Sequence, residues 1–187
     1  MTSAVVSGVV ALGLELVAKP RLEARKERIL AAARGRSDFE RNLLKLEVLS
    51  GTWANFVNPP GVSMGSRQLI AQERRRAFSQ IEDITKELVD GLSAYALTYI
   101  GMRLPGQSMS APEIISNYVW TVRGVTVSTR STSDKAKAIH ELTEPIRIFL
   151  FGGLHLVRRI NAWKKIPAVF SKYNSVEITG AAKDANV

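Results

Sequence analysis

The sequence predicts an all-α protein with an N-terminal apolar anchor helix, a basic connecting helix and a bundle of about four helices. Three observations carry this prediction. Apolar residues recur every three and four positions along most of the chain, which is the period of one helix face. Ser37 with Glu40, and Ser110 with Glu113, form capping boxes that mark helix starts. The β-branched stretch 122–132 has no second strand to pair with, so we expect a frayed helix end and loop there.

Composition excludes several classes of protein. The 187 residues are 45% hydrophobic with mean hydropathy near zero, which rules out a disordered chain. The absence of cysteine excludes disulfides, a thiolate nucleophile, Cys-ligated zinc and iron–sulfur clusters. The formal net charge is +9. We expect an anchor at 1–18, a basic juxtamembrane helix at 19–36, the bundle at 37–171 and a loose tail at 172–187.

Residues 2–18 form an apolar stretch, TSAVVSGVVALGLELVA, in which Glu15 is the one ionisable group. Residues 19–36 follow with seven basic and two acidic side chains, a net charge of +5. A secretory signal peptide has the reverse order of charge and apolar residues. We therefore expect an uncleaved anchor in the cell membrane, with the bulk of the chain on the cytoplasmic side. The stretch is short for a span, so the alternative is a core helix of a soluble bundle.

The predicted binding residues follow the apolar stretch directly. Lys and Arg close to a membrane surface are attracted to anionic headgroups. We expect five cations to bind anionic lipid: Lys19, Arg21, Arg25, Lys26 and Arg28. Within the apolar stretch, small residues recur every four positions and would let two anchor helices approach closely, which favours self-association. These residues are Ser3, Ser7 and Ala11.

The block AKPRLEARKERIL, which follows the short apolar N-terminus, resembles the opening of a group of small uncharacterised actinobacterial proteins with one N-terminal hydrophobic helix. The resemblance covers about the first 34 residues. It implies a membrane anchor followed by a basic helix. It implies no activity and no site residues.

The first two bundle helices follow from their apolar faces. The basic helix is expected to end at Gly35 and the next to begin at Ser37. That helix has the core face Phe39, Leu43, Leu46, Leu49, Trp53 and Phe56. After a loop at 57–65, a helix is expected from about 66 to 100, interrupted or bent at Gly91. Its core face is Ile70, Phe78, Ile81, Ile84, Leu88, Leu92, Tyr95 and Tyr99.

The second half of the chain predicts two more helices. One opens at Ser110 and buries Ile114, Ile115, Tyr118 and Val119. The next begins at Ser133 with Asp134 and is kinked or re-initiated at Pro145. The apolar segment 146–157 is too short to span a bilayer, so we expect it in the core or against the membrane surface. We expect four side chains in particular to be buried: Trp53, Ile81, Ile84 and Leu88.

Catalytic and metal-binding patterns are weak. His140 and Glu144 have a spacing that can ligate a metal, but an ordinary amphipathic surface gives the same spacing. His155 lies in an apolar run, which is typical of a histidine hydrogen-bonded in the core. Gly152 with Gly153 lacks the residues of a phosphate-binding loop and indicates backbone packing. We therefore expect no enzyme, no metal and no cofactor.

Three functions are compatible with these patterns. The first is a membrane-anchored helical protein with a structural or interaction role at the inner leaflet. The second is a soluble basic helical protein that binds nucleic acid, for which the pI of about 10.1 and the cations Arg74, Arg75 and Arg76 are the support. The third is a membrane-disrupting effector in which 146–157 enters the bilayer and partner helices shield Arg147. The position of the basic block beside the apolar stretch favours the first, because the positive-inside rule explains it without nucleic acid.

Overall fold

The computed structural model describes residues 19–57, 60–100, 109–153 and 155–184. These residues are 87% helical and include no strand, which confirms the all-α prediction. They form six helices: α1 (Lys19–Ala54), α2 (Met64–Asp90), α3 (Leu92–Thr98), α4 (Ala111–Val127), α5 (Thr132–Phe151) and α6 (Leu156–Asp184).

Helix α1 is continuous through the point where the sequence predicts a break. The predicted stop at Gly35 and the predicted start at Ser37 are both wrong, since α1 runs unbroken over 36 residues. Gly35 serves close packing instead. A Cβ atom at this position would lie 3.0 Å from Thr98 Oγ1 and 3.6 Å from the carbonyl oxygen of Ala94. The absence of a side chain at Gly35 therefore lets α1 approach α3 closely.

The other helix starts agree better with the sequence. The Ser110 amide donates to Glu113 Oε2 at 2.6 Å, which confirms that capping box. Gly91 separates α2 from α3, as predicted. The start of α5 lies slightly earlier than expected, because Ser131 rather than Ser133 accepts the amide of Asp134, at 3.2 Å. Helix α5 then continues through Pro145 without re-initiation.

Helix α6 extends to Asp184, where the sequence predicts a loose tail from 172. A hydrogen-bonded cluster joins the start of that region to α5. Tyr173 Oη donates to Glu141 Oε2 at 2.7 Å, and Lys172 Nζ donates to the same oxygen at 2.5 Å. These contacts attach the first two residues of the predicted tail to α5.

The core is built around the packing of α1 on α5, the most extensive helix contact. Phe39 of α1 is fully buried. Its ring lies 5.1 to 6.4 Å, centroid to centroid, from four other aromatic rings. Those rings come from α3, its C-cap, α4 and α5: Tyr95, Tyr99, Tyr118 and Phe151.

Polar contacts fix the register of the same helices. Arg147 of α5 donates to both carboxylate oxygens of Glu47 on α1, with Nη2 2.9 Å from Oε1. The two side chains are 28% and 17% exposed, so this bidentate pair is partly shielded from water. Deeper in the core, Tyr118 Oη and Thr143 Oγ1 share a hydrogen bond of 2.9 Å, and Thr143 Oγ1 donates to the Ile139 carbonyl.

The predicted core faces are largely confirmed. Ile81, Ile84 and Leu88 are 0%, 6% and 0% exposed. Five other members of these faces are half-buried: Leu49, Phe56, Ile70, Phe78 and Leu92. Of the four side chains expected in particular to be buried, Trp53 is the exception, because it is also half-buried. It lies near the end of α1, where its ring packs 5.0 Å from that of Phe56. The helical spacing therefore gave the correct face, and the position near the helix end reduced the burial.

Ile84→Asp should unfold the bundle by placing an unpaired charge at a site that is 6% exposed. We expect a loss of about 3–5 kcal/mol in the free energy of unfolding, measured by chemical denaturation. Leu69→Asp is the matched control, because Leu69 lies on the same helix and is 59% exposed. It should change stability by about 0.5 kcal/mol or less. A parent-like stability of the Ile84 variant would contradict the assigned core.

All four tyrosines should resist ionisation while the chain is folded. Burial is the main cause that raises the pKa of Tyr95, Tyr118 and Tyr173, and it raises the pKa of Tyr99 to about 12. Unfolded tyrosines titrate near pH ~10, so the unfolded chain releases these protons first. The stability that depends on the neutral phenols is therefore present below pH ~10 and is lost as the pH rises towards the folded values. Ultraviolet titration of phenolate, followed together with circular dichroism, should show ionisation only as the helices unfold. A phenol that titrates normally in a folded chain would contradict this burial.

Candidate functional site

The first part of α1 projects from the bundle as a basic helical arm, which we define as residues 19–34. Residues 19–31 are all exposed, and so are 33 and 34. At a rise of 1.5 Å per residue the arm is about 24 Å long. It ends at Gly35, the first buried residue of α1. The arm is therefore free to contact a partner along its length.

The structure places all five predicted lipid-binding residues on this arm, and all are exposed: Lys19, Arg21, Arg25, Lys26 and Arg28. Within the described residues, none of these cations lies within 4.0 Å of a carboxylate oxygen. Their charges are consequently not neutralised by ion pairs of the described chain, and they remain available to an anionic surface.

The arm also carries an apolar stripe that was not predicted from the sequence. Leu22 and Ile29 are 64% and 61% exposed and lie seven residues apart, so they share one side of the helix. Leu30 adds a further side chain that is 43% exposed. Arg25 and Lys26 lie on either side of the line from Leu22 to Ile29. Cations flanking an apolar stripe are typical of helices that lie in a membrane interface. The spacing of Leu22 and Ile29 was the signal that could have revealed it.

The predicted anchor lies outside the described residues, together with its small residues Ser3, Ser7 and Ala11. Among the helices that the structure describes, none has the length and apolar character needed to cross a membrane.

The arginines proposed for nucleic acid do not act as one cluster. Arg74 Cζ lies 5.4 Å from the ring of Trp53 and 5.8 Å from that of Phe56, so it is engaged in cation–π contacts within the bundle. Arg75 and Arg76 are exposed. The basic surface of α2 is therefore smaller than the sequence indicates.

The two histidines have different surroundings. The His140 ring packs against α1, since a Cβ on Gly51 would lie 3.1 Å from its Nδ1. Glu144, the second candidate ligand, is exposed. Within residues 19–57, 60–100, 109–153 and 155–184, no three His, Cys, Asp or Glu side chains form a group that could hold a metal. This arrangement gives His140 a packing role.

The prediction of a core position for His155 is wrong, because this side chain is exposed. Helix α5 ends at Gly152, and Gly153 has φ of 63°, a left-handed turn that redirects the chain. His155 follows this turn and precedes α6. It lines an open groove of about 750 Å³ together with Glu144 and Arg158.

The apolar segment 146–157 is divided between core and surface. Ile146, Phe149 and Leu150 are at most 4% exposed, which confirms a core position for the first part. Leu156 and Val157, after the turn, are 64% and 73% exposed. The single apolar run in the sequence therefore serves two environments.

Comparison of the chain with protein-family models, with curated proteins and with solved structures gives no match. The resemblance to the actinobacterial group stays a prediction. The candidate site rests on the geometry and charge of the arm.

The arm should show the dynamics of a helix without tertiary contacts. We expect backbone amides at 22–33 to exchange with solvent faster than those at 39–50 of the same helix, because the exposed arm can open locally while the bundle stays packed. Hydrogen exchange of the full chain in neutral detergent, read by mass spectrometry, measures both regions in one molecule. Equal protection of the two regions would contradict a free arm.

Proposed function

We propose that this chain is a membrane-associated helical protein whose basic arm binds anionic lipid and holds the bundle at the inner leaflet. In this proposal, residues 1–18 anchor the chain in the membrane and the bundle faces the cytoplasm. The bundle has a structural or interaction role there. The observation that carries the proposal is the exposed arm, in which unpaired cations flank an apolar stripe.

Electrostatics gives the arm a substantial attraction to anionic headgroups. The segment 19–36 holds a net +5 of the chain's +9. Each Lys or Arg near an anionic surface contributes about 1 kcal/mol, and the effect falls off within a Debye length of about 8 Å at physiological salt. A helix lying on the surface keeps its cations within that distance. Binding should therefore depend strongly on both lipid charge and salt.

The apolar stripe adds a contribution that does not depend on charge. A fully buried aliphatic side chain contributes about 1.5–3 kcal/mol relative to its exposed state. Leu22 and Ile29 of the arm are largely exposed to water in the folded chain, so a lipid interface can bury most of their surface. Long cationic side chains beside them can reach the headgroups while their stems cover acyl chains. Nucleic acid would neutralise the cations and leave the stripe in water.

The alternative functions have weaker support. Nucleic-acid binding through α2 would rely on Arg75 and Arg76, since Arg74 contacts Trp53. A membrane-disrupting effector would need 146–157 to enter the bilayer. That step would require Phe149 and its neighbours to leave the core and Arg147 to separate from Glu47. Both events would open the bundle.

The proposal is tested by removing charge from the arm of the full chain. The arm variant replaces Arg21, Arg25, Lys26 and Arg28 with Gln. Flotation with phosphatidylcholine vesicles, with and without phosphatidylglycerol, gives the preference for anionic lipid. We expect the parent's preference to fall as salt rises and the arm variant to lose about 10³-fold at physiological salt. Affinity for neutral vesicles should change little.

A matched control removes the same charge elsewhere. Its four Gln substitutions replace exposed cations of α2: Arg67, Arg75, Arg76 and Lys86. This control should keep the parent's preference for anionic vesicles. An equal loss in both variants would mean that only net charge matters, and would contradict the role of the arm. Tight, sequence-dependent binding of duplex DNA that the α2 control abolishes would favour the nucleic-acid alternative.

A further inference from the structure

The first turns of α6 carry an exposed patch that the arm does not include. Leu156, Val157 and Ile160 are 64%, 73% and 45% exposed and lie within two helical turns. The first three turns of α6 also carry three exposed cations: Arg158, Lys164 and Lys165. We call these six residues the α6 patch. Exposed aliphatic side chains grouped in this way make the α6 patch a candidate interaction surface.

The chemistry of the α6 patch fits anionic lipid better than nucleic acid. Aliphatic side chains next to Lys and Arg are what an interfacial helix presents to a charged membrane. A phosphate backbone would pair with the cations, but it would leave Leu156 and Val157 in water. A lipid interface pairs the cations with anionic headgroups and removes the aliphatic side chains from water.

The start of α6, which carries the α6 patch, lies next to the base of the arm. Leu22, Ile29 and Arg36 follow one another at intervals of seven residues, which keeps them on one side of α1. Arg36 of α1 and Arg159 of α6 together line one cavity of about 370 Å³. The side of the arm that carries the apolar stripe therefore leads directly to the first turns of α6.

Two contacts fix this neighbourhood. Arg36 Cζ lies 5.7 Å from the ring of Phe151, the last residue of α5. Arg159 Nε donates to the carbonyl oxygen of Phe149 at 2.9 Å. Because Phe149 and Phe151 both belong to α5, the base of the arm and the start of α6 are attached to the same helix end. Their relative position is part of the packed bundle.

We propose that the α6 patch is a second lipid contact, so that the side of the bundle on which the apolar stripe continues to Arg36 and the first turns of α6 faces the anionic membrane. This inference rests on the proposed function of the arm, and it adds the orientation of the bundle. In this orientation the loops at the other end of the bundle, where α1 finishes and α5 begins, make no contact with lipid.

The test uses a single fluorescent label, which is practical because the chain has no cysteine. Val157→Cys is labelled with the environment-sensitive dye NBD in the full chain. Val57→Cys is the matched control, because Val57 is also an exposed valine, 81% exposed, and follows the far end of α1. A second pair, Leu156→Cys and Val127→Cys, guards against a local effect of one label, since Val127 is 62% exposed at the end of α4. Vesicles contain phosphatidylglycerol, with or without nitroxide-labelled lipid.

We expect the labels at 156 and 157 to brighten, shift to shorter wavelength and be quenched by nitroxide lipid, while those at 57 and 127 keep their aqueous spectra. If all four labels stay aqueous on a chain that binds the vesicles through its arm, this inference is overturned and the proposed function stands. Failure of the parent to prefer anionic vesicles overturns both. A response at 157 to duplex DNA without a response to lipid also overturns the inference.

Discussion

The contact on which the arrangement of helices depends is the burial of Phe39 among four aromatic rings. Phe39 lies one helical turn after Gly35, where α1 enters the bundle. Its neighbours Tyr95, Tyr118 and Phe151 belong to three other helices. Each such ring pair contributes about 0.5–1.5 kcal/mol beyond the burial of its area. One side chain of α1 thus joins α3, α4 and α5 at the base of the arm.

Because α1 is continuous, the packing of Phe39 also fixes the orientation of the arm outside the bundle. A break at Gly35 would let the arm rotate about a flexible joint, but the unbroken helix fixes which side of the arm faces which side of the bundle. The bidentate pair of Glu47 and Arg147 holds the later turns of α1 against α5 in the same register. The direction of the apolar stripe on the arm is therefore set by packing more than one helical turn away.

Helical periodicity made most of the fold predictable, because burial of one helix side is recorded in residue spacing. The faces of α2 and α4 followed from that rule alone, as Ile81 and Tyr118 illustrate. Local sequence signals gave wrong predictions where tertiary contacts determine the structure. Gly35 is a residue type that often ends a helix, yet here it packs against α3 inside a continuous helix. His155 continues an apolar run in the sequence, yet the turn at Gly153 places it at the surface. The arm's cations were predictable from their position after an apolar stretch. The adjacency of Arg36 and Arg159 was not, since they are distant in sequence and meet only through α5.

In the proposed function, the bundle also lowers the free-energy cost of ordering the arm when it binds lipid. A basic peptide of this length is at most marginally helical in water, because helix nucleation is unfavourable and its like charges repel. Ordering each residue on binding would cost about 1–2 kcal/mol in backbone entropy. In this chain the packed part of α1, from Phe39 onward, supplies the helix nucleus, and the arm only extends it. Under the proposed function, the arm meets a charged surface already helical, with its cations and its apolar stripe on the correct sides, so that more of the interaction free energy appears as affinity.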